Sequence, residues 1–268
     1  MFLSNCRFAK KLKMIIATFN VNSLRTRLGI ILDWFGANHP DVLCLQETKV
    51  QDQDFPVEAF AQSGYEFVFR GQKKYNGVAI FSKSPISDIS FGLDDEPKDD
   101  ARLIKAVIKG ITIVNTYIPQ GYDRQSEKFQ YKLRWFERLA EYFKRHFKPN
   151  DSIVWAGDFN IAREPKDVYD PEGLWGHVCY CSEVQNALNK IMDWGFVDVF
   201  RRHCNKAGQY TFWDYRGGAF LQDMGWRLDY IMATKTLAAK CTKCWIDKKP
   251  RSADKPSDHT FLVSHFDV

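Results

Sequence analysis

IVWAGDFN, residues 153–160, is a run of apolar, strand-forming side chains that breaks after Gly157 into Asp158, Phe159 and Asn160. Ile, Val and Trp favour the pleated chain, whereas Gly, Asp and Asn favour the turn that ends it. The stretch therefore reads as a buried strand that delivers a carboxylate and an amide to its carboxyl end. MIIATFN, residues 14–20, repeats the pattern and also closes on Phe-Asn. Two such strands hint at two similar halves. That suits two sheets packed face to face with helices outside, an α/β sandwich whose strand ends meet on one rim.

Working outward, MIIATFNVN is followed by an amphipathic RTRLGIILDWFGANH and then by the apolar DVLCLQ, a β-α-β opening. YEFVFR, GVAIFS, ARLIKAVI and ITIVNTYI come next without a convincing helix between them, so this part of the sheet is expected to be antiparallel or mixed. From Gln125 to about Phe147, Phe129, Leu133, Phe136, Leu139 and Phe143 recur at three- and four-residue spacing, which predicts a long helix with one face on a sheet. CSEVQNALNKIMDWG reads as a capped helix, and LDYIMA, KCTKCWID and HTFLVSHF as late strands. No linker-like composition divides them, so residues 14–268 read as one domain.

The 268 residues are 45% hydrophobic, enough for a sizeable core, yet no run of about 18 apolar residues exists for a membrane-spanning helix. Residues 1–13, MFLSNCRFAKKLK, have Lys and Arg but no signal-peptide core. They read as an N-terminal extension, or as a start placed too early, and a cytoplasmic monomer is expected. Seven cysteines, an odd number without framework spacing, point to reduced thiols. Cys241 and Cys244 have metal-ligand spacing, but Cys179 and Cys181 are too close together for a zinc knuckle. The net charge of +5 suits a polyanionic partner without choosing between nucleic acid and acidic lipid.

Polar residues concentrate at the strand ends: Asn20 and Asn22, Gln46 and Glu47, Asn115 and Tyr117, Asp158 and Asn160, and Asp229. Ligand sites of α/β sheets form where strands hand over to loops, so these side chains can converge on one cleft. Singly, each has a plain alternative. Glu47 also reads as a solvated loop acid, Asp158 as an Asx turn, and Asp258 beside His259 as a turn or cap. Asp229 either fixes an imidazole tautomer or serves as a structural charge near Arg227. QYTFWDYR, residues 209–216, suits stacking on sugar or base, or the core. Lys73 and Lys74 touch phosphates or keep a hairpin soluble.

Read together, NVN, LQETK, YNGVA, NTYIPQG, GDFN, FWDYR, GWRLDY and KPSDH stand in the order and context of the exonuclease III family of DNA-repair nucleases, which the chain resembles from Met14 to Val268. The resemblance implies a four-layer α/β sandwich of two mixed sheets flanked by helices. It implies AP endonuclease, 3′-to-5′ exonuclease and 3′-phosphatase or phosphodiesterase activities on double-stranded DNA, with Mg²⁺ as cofactor and Mn²⁺ as substitute. Glu47 then matches the principal metal ligand, helped by Asn22 and approached by Asp258. Asp158 matches the residue that orients or deprotonates the attacking water. Asn160 and Asn20 hold phosphate or site hydrogen bonds, Tyr117 contacts phosphate, and His259, oriented by Asp229, stabilises its oxygens. Phe212, Trp226 and Leu228 match the walls of a pocket for a flipped abasic deoxyribose. Lys73, Asn76, Arg102, Gln120 and Arg216 are the candidate DNA-backbone contacts. The insert LWGHVCYC, residues 174–181, departs from the family, with His177 touching DNA or satisfied within its loop. The nearest rival is a member of the same fold that cleaves a lipid or inositol phosphate, and GWRLDY and FWDYR favour DNA over it.

Overall fold

The computed structural model describes residues 13–268, so the expectation for the extension before Met14 falls, but for Lys13, outside the described residues. Lys13 already pairs with Asp267 in the first strand. Twelve strands form two six-stranded sheets. The first contains β1 (Lys13–Asn20), β2 (Val42–Gln46), β3 (Glu66–Arg70), β4 (Val78–Ser82), β11 (Cys241–Asp247) and β12 (Phe261–Asp267) in the order β11-β12-β1-β2-β4-β3. The second contains β5 (Ile86–Phe91), β6 (Leu103–Ile108), β7 (Ile111–Tyr117), β8 (Ile153–Asp158), β9 (Phe196–Asp198) and β10 (Asp229–Thr234) in the order β5-β6-β7-β8-β10-β9.

Each sheet has one parallel pair and is otherwise antiparallel. β1 and β2 run parallel, joined by helix α1 (Leu24–Asn38), and β7 and β8 run parallel, joined by α3 (Glu127–His146). A parallel pair needs such a crossover, and it sends both carboxyl ends to the same side. That is the hint of two halves made concrete: the ends of β1, β2, β7 and β8 are where Asn20, Glu47, Tyr117 and Asp158 stand. β10 and β12 run antiparallel to β8 and β1 and so begin at that rim, with Asp229 and, two residues before β12, His259.

Alternation along the strands builds the layers. Ile16, Val42, Ile80, Ile104, Ile113, Val154, Ile231 and Leu262 point inward and join the two sheets in one core. Their neighbours point outward: Phe19, Leu43 and Phe81 meet Ile31, Trp34 and Phe35 of α1, and Trp155, Tyr230 and Met232 meet α3 and α4 (Ser182–Gly195). The four-layer sandwich expected from the sequence is the fold found. α3 starts where the Ser126 hydroxyl accepts the Phe129 N–H and ends on Lys144, Arg145 and His146, which suit the negative end of the helix dipole. Elements unexpected from the sequence are α2 (Val57–Phe60), β5, β9, α5 (Val199–His203) and α6 (Lys235–Ala238). No described helix is long and apolar enough to cross a membrane.

Near the rim the sheets are tied by polar side chains. The Gln46 amide donates to Thr18 Oγ1 at 2.9 Å and to Asn115 Oδ1 at 2.7 Å, and the Asn115 amide donates to the carbonyls of Leu45 and Ala79 at 2.9 Å. These two strand-end amides are thus a buried clasp rather than part of an open cleft. The cysteine pairs do not meet either: Cys179 and Cys181 lie in the core under α3 and α4, Cys241 and Cys244 between the sheets.

Candidate active site

The site begins with a bond between the sheets. Asn20 Nδ2 at the end of β1 donates to Asp158 Oδ2 at the end of β8 at 2.8 Å, and to Glu47 Oε1 at 2.9 Å. Asp158 reaches this point because Gly157 lets the chain press against β7: a Cβ there would meet the Thr116 carbonyl oxygen at 1.9 Å. Asn22, Glu47 and Asn160 all have positive φ, a conformation that non-glycine residues adopt at a cost, and Glu47 and Asn160 line the cleft.

Asp158 and Asp229 are register partners across β8 and β10, so two carboxylates lie side by side in a buried place. Like charges so placed repel, and a cation is needed between them. His259 supplies it. Its Nδ1 lies 2.8 Å from Asp229 Oδ2 and its Nε2 3.7 Å from Asp158 Oδ2. Burial alone would lower the pKa of His259, but Asp229 and Asp158 outweigh it and push it up to about 10. Asp158 is pushed up to about 7, by burial first and then by Asp229 and Glu47, with His259 opposing. Asn160 completes the group: its backbone N–H donates to Asp158 Oδ1 at 2.8 Å, and its amide to the Ile118 carbonyl at 3.0 Å. Arg227 is not Asp229's partner, since its guanidinium is buried against Asp167 and Asp198.

Two acidic sets compete for a divalent cation. Among the described residues, Asp158, Asp229 and His259 are the one group of three His, Cys, Asp or Glu side chains whose ligand atoms lie within 4.8 Å of one another. The imidazolium already offsets one of that group's two negative charges and is bonded to Asp229. Glu47 and Asn22 differ: Lys49 Nζ lies 2.7 Å from Glu47 Oε2 and 2.5 Å from Asn22 Oδ1, a side-chain cation between the two residues that the family resemblance assigns to the metal. Asn22 Nδ2 donates to Asp258 Oδ1 at 3.0 Å, which brings the third assigned ligand alongside. Hard oxygen donors with a displaceable ammonium between them fit a divalent ion better than a charge-balanced His–Asp pair does.

A cleft of about 310 Å³ is lined by the polar Glu47, Tyr117, Asn160, Asp258 and His259 and also by Phe212, Trp226, Leu228, His177 and Cys179. Burial first, then Glu47 and Asp158, hold the Tyr117 phenol well above its ordinary pKa, so it stays a donor. The wall is attached to the chemistry: Phe212 bridges both Trp226 and His259, with its ring 4.9 Å from the imidazole. In FWDYR the roles divide, because Trp213 is core, Phe212 lines the cleft and Tyr215 is exposed. Gly225 is required below Trp226, since a Cβ would meet Tyr210 and Trp213 at 2.4 and 2.5 Å.

Of the backbone-contact candidates, Gln120 and Arg216 line the cleft, the latter paired with Asp214 at 2.7 Å. Lys73 and Asn76 lie outside it, in the loop between β3 and β4. Arg102 is occupied: it donates to the Tyr117 carbonyl at 3.0 Å, stacks on the Tyr117 ring and faces Asp99. Sequence reasoning passed over Lys49 and Lys132. Lys132 is buried with no acid partner among the described residues, and its ammonium donates to the carbonyls of Gln120, Asn160 and Val178, which joins three loops behind the cleft. A lysine three residues after Phe129, on the apolar stripe of α3, was the available signal.

The model of the Endonuclease/Exonuclease/phosphatase family matches residues 17–259. An exodeoxyribonuclease III of Haemophilus influenzae is 31% identical over 94% of this chain and 100% of its own length. An AP endonuclease structure from Archaeoglobus fulgidus is 51% identical with a TM-score of 0.93, covering 95% of this chain and 100% of its own. A 3′ phosphatase from Neisseria, solved bound to a product DNA hairpin, is 36% identical with a TM-score of 0.90 over the same shares.

Proposed function

Since the chain belongs to the endonuclease/exonuclease/phosphatase family, we propose that it is a DNA-repair hydrolase that cleaves phosphodiesters in double-stranded DNA. Its activities are incision 5′ of abasic sites, 3′-to-5′ exonuclease, and 3′-phosphatase or phosphodiesterase. One observation carries the reading: a polar floor of Glu47, Asn160 and His259 and an apolar wall of Phe212, Trp226 and Leu228 line one cleft and adjoin where the Phe212 ring meets the His259 imidazole. The floor suits a phosphate and the wall suits a sugar without its base. A cytoplasmic monomer completes the reading.

Glu47, with Asn22 and Asp258, would hold Mg²⁺ or in its place Mn²⁺, and such an ion would supply charge neutralisation at the phosphate oxygens. The chain's own groups do the rest. Asp158, poised near neutrality, orients a water in line with the phosphorus and takes its proton. His259, charged and held by Asp229, sits against the phosphate oxygens as negative charge builds there, and Tyr117 donates to them, while Asn160, whose N–H groups are spent on Asp158 and Ile118, holds the site's hydrogen bonds. Asn20 holds Asp158 and Glu47 at a fixed separation. Gln120 and Arg216 at the cleft, and Lys73 and Asn76 beyond it, meet the DNA backbone, while Arg102 braces Tyr117.

The test uses end-labelled duplexes carrying an abasic site, a recessed 3′ hydroxyl or a 3′ phosphate, with Mg²⁺. The expected result is cleavage of all three, with the abasic strand cut on the 5′ side of the lesion. No cleavage of any of them with Mg²⁺ or Mn²⁺, alongside hydrolysis of an inositol phosphate, would overturn the reading.

A further inference from the structure

His177 stands at the mouth of the cleft, in the turn formed by residues 174–181. The Gly176 N–H donates to the Tyr180 carbonyl at 3.0 Å and the Tyr180 N–H to the His177 carbonyl at 2.7 Å, so the turn is closed although its tip is exposed. Two further contacts fix the imidazole. Its ring centroid lies 4.8 Å from that of Trp226, and its Nδ1 accepts the Cys179 backbone N–H at 3.1 Å. A ring nitrogen that accepts carries no proton, so the neutral ring bears its proton on Nε2. Partial burial, with the Lys132 ammonium nearby, lowers the pKa of His177 and favours that neutral form. Among the described residues Nε2–H has no hydrogen-bond acceptor.

The surroundings say what this donor meets. His177 lines the same cleft as Cys179, Phe212, Trp226 and Leu228 and packs directly on Trp226. On the abasic-DNA reading, a nucleotide whose phosphate rests on the polar floor puts its sugar against Phe212, Trp226 and Leu228. An abasic deoxyribose carries a hydroxyl at C1′ where an intact nucleotide carries its base. Phe212, Trp226 and Leu228 read shape alone, and a donor among them adds chemical recognition.

We propose that His177 is a specificity-determining residue whose Nε2–H donates to the C1′ hydroxyl oxygen of an abasic deoxyribose seated against Trp226. The inference rests on the abasic-DNA reading above and names the group on the lesion that is recognised. A donor built to meet a hydroxyl is left unpaired by a substrate without one, and that is a source of discrimination.

The experiment measures kcat/KM on two duplexes, one with a natural abasic site and one with its tetrahydrofuran analogue, which lacks the C1′ hydroxyl. The wild-type protein is expected to prefer the natural site by about tenfold, the scale of one hydrogen bond. His177→Ala should bring that ratio to about one, and His177→Gln, which keeps an N–H donor, should recover part of it. The ratio within each variant cancels any loss common to both substrates, such as a rearranged turn. A wild-type ratio near one, or the wild-type ratio kept in His177→Ala, overturns the proposal. Failure of the wild-type protein to cut either duplex overturns the abasic reading itself, and the proposal with it.

Discussion

Asp229 Oδ2 lies 2.8 Å from His259 Nδ1, and both side chains are buried. The pair spans the two sheets, with Asp229 beginning β10 and His259 preceding β12. Among the described residues Asp229 Oδ1 has no hydrogen-bond partner, so the one bond that Oδ2 accepts from the ring, together with charge, holds the imidazolium in place.

If Asp229 acts through His259, their losses must not multiply. His259→Ala is expected to lower kcat on an abasic duplex by about 10²–10³-fold, the scale of one preorganised donor to the developing charge. Asp229→Ala should cost less, and the double variant should be no slower than His259→Ala alone. Losses that multiply in the double variant would show that Asp229 has a separate task.

A second buried network holds the cleft wall from behind. Asp167 receives Arg227 Nε at 2.8 Å and also Arg201, and Arg227 Nη1 pairs with Asp198 at 2.9 Å. Burial alone would raise the Asp167 pKa, but Arg227 and Arg201 outweigh it and hold it below the usual aspartate value. A depressed folded-state pKa contributes stability that is fully present above the unfolded value, about 4, and is lost as pH falls through the folded one. Asp167→Asn should therefore cost about 3–5 kcal/mol at neutral pH and flatten the fall in stability below pH 4. Urea unfolding at pH 7 and at pH 3.5 checks both; an unchanged acid dependence would place the sensitivity elsewhere.

Lys132 gives a prediction about the loops. Lys132→Met keeps the aliphatic stem but leaves the carbonyls of Gln120, Asn160 and Val178 without their donor. Stability should fall by roughly 1–3 kcal/mol, since unpaired buried acceptors cost more than the buried stem regains. Amide hydrogen exchange should rise first in the loops after β7 and β8. Wild-type stability in this variant would mean that water already serves those carbonyls.

The rim was legible because apolar strands that end abruptly in Asn, Glu or Asp carry their own register: MIIATFN and IVWAGDFN put Asn20 and Asp158 at matching strand ends. β5 was not, because ISDISF is a mostly exposed edge strand with a bulge, so its apolar residues do not alternate against a core. β9, three residues long, is defined only by pairing with β10. The sequence also could not separate Asn115 and Gln46 from the open site, because a buried inter-sheet clasp and a ligand-facing amide look alike before the partner strand is known. Arg102 misled for a similar reason, since a cation near a strand end reads as a phosphate contact until Tyr117 and Asp99 are seen beside it.

The central claim, hydrolysis of abasic DNA by water activated at Asp158 with a cation at Glu47, is tested most directly by one incision assay. Wild type, Asp158→Asn and Glu47→Gln are each given an end-labelled abasic duplex over a Mg²⁺ titration, with duplex affinity measured in parallel. The account predicts incision that chelation abolishes. It predicts a loss of about 10²–10⁴-fold in kcat for Asp158→Asn at every Mg²⁺ concentration, with affinity retained. For Glu47→Gln it predicts a defect that added Mg²⁺ partly recovers. Full incision by Asp158→Asn, or wild-type turnover undiminished by chelator, would contradict it.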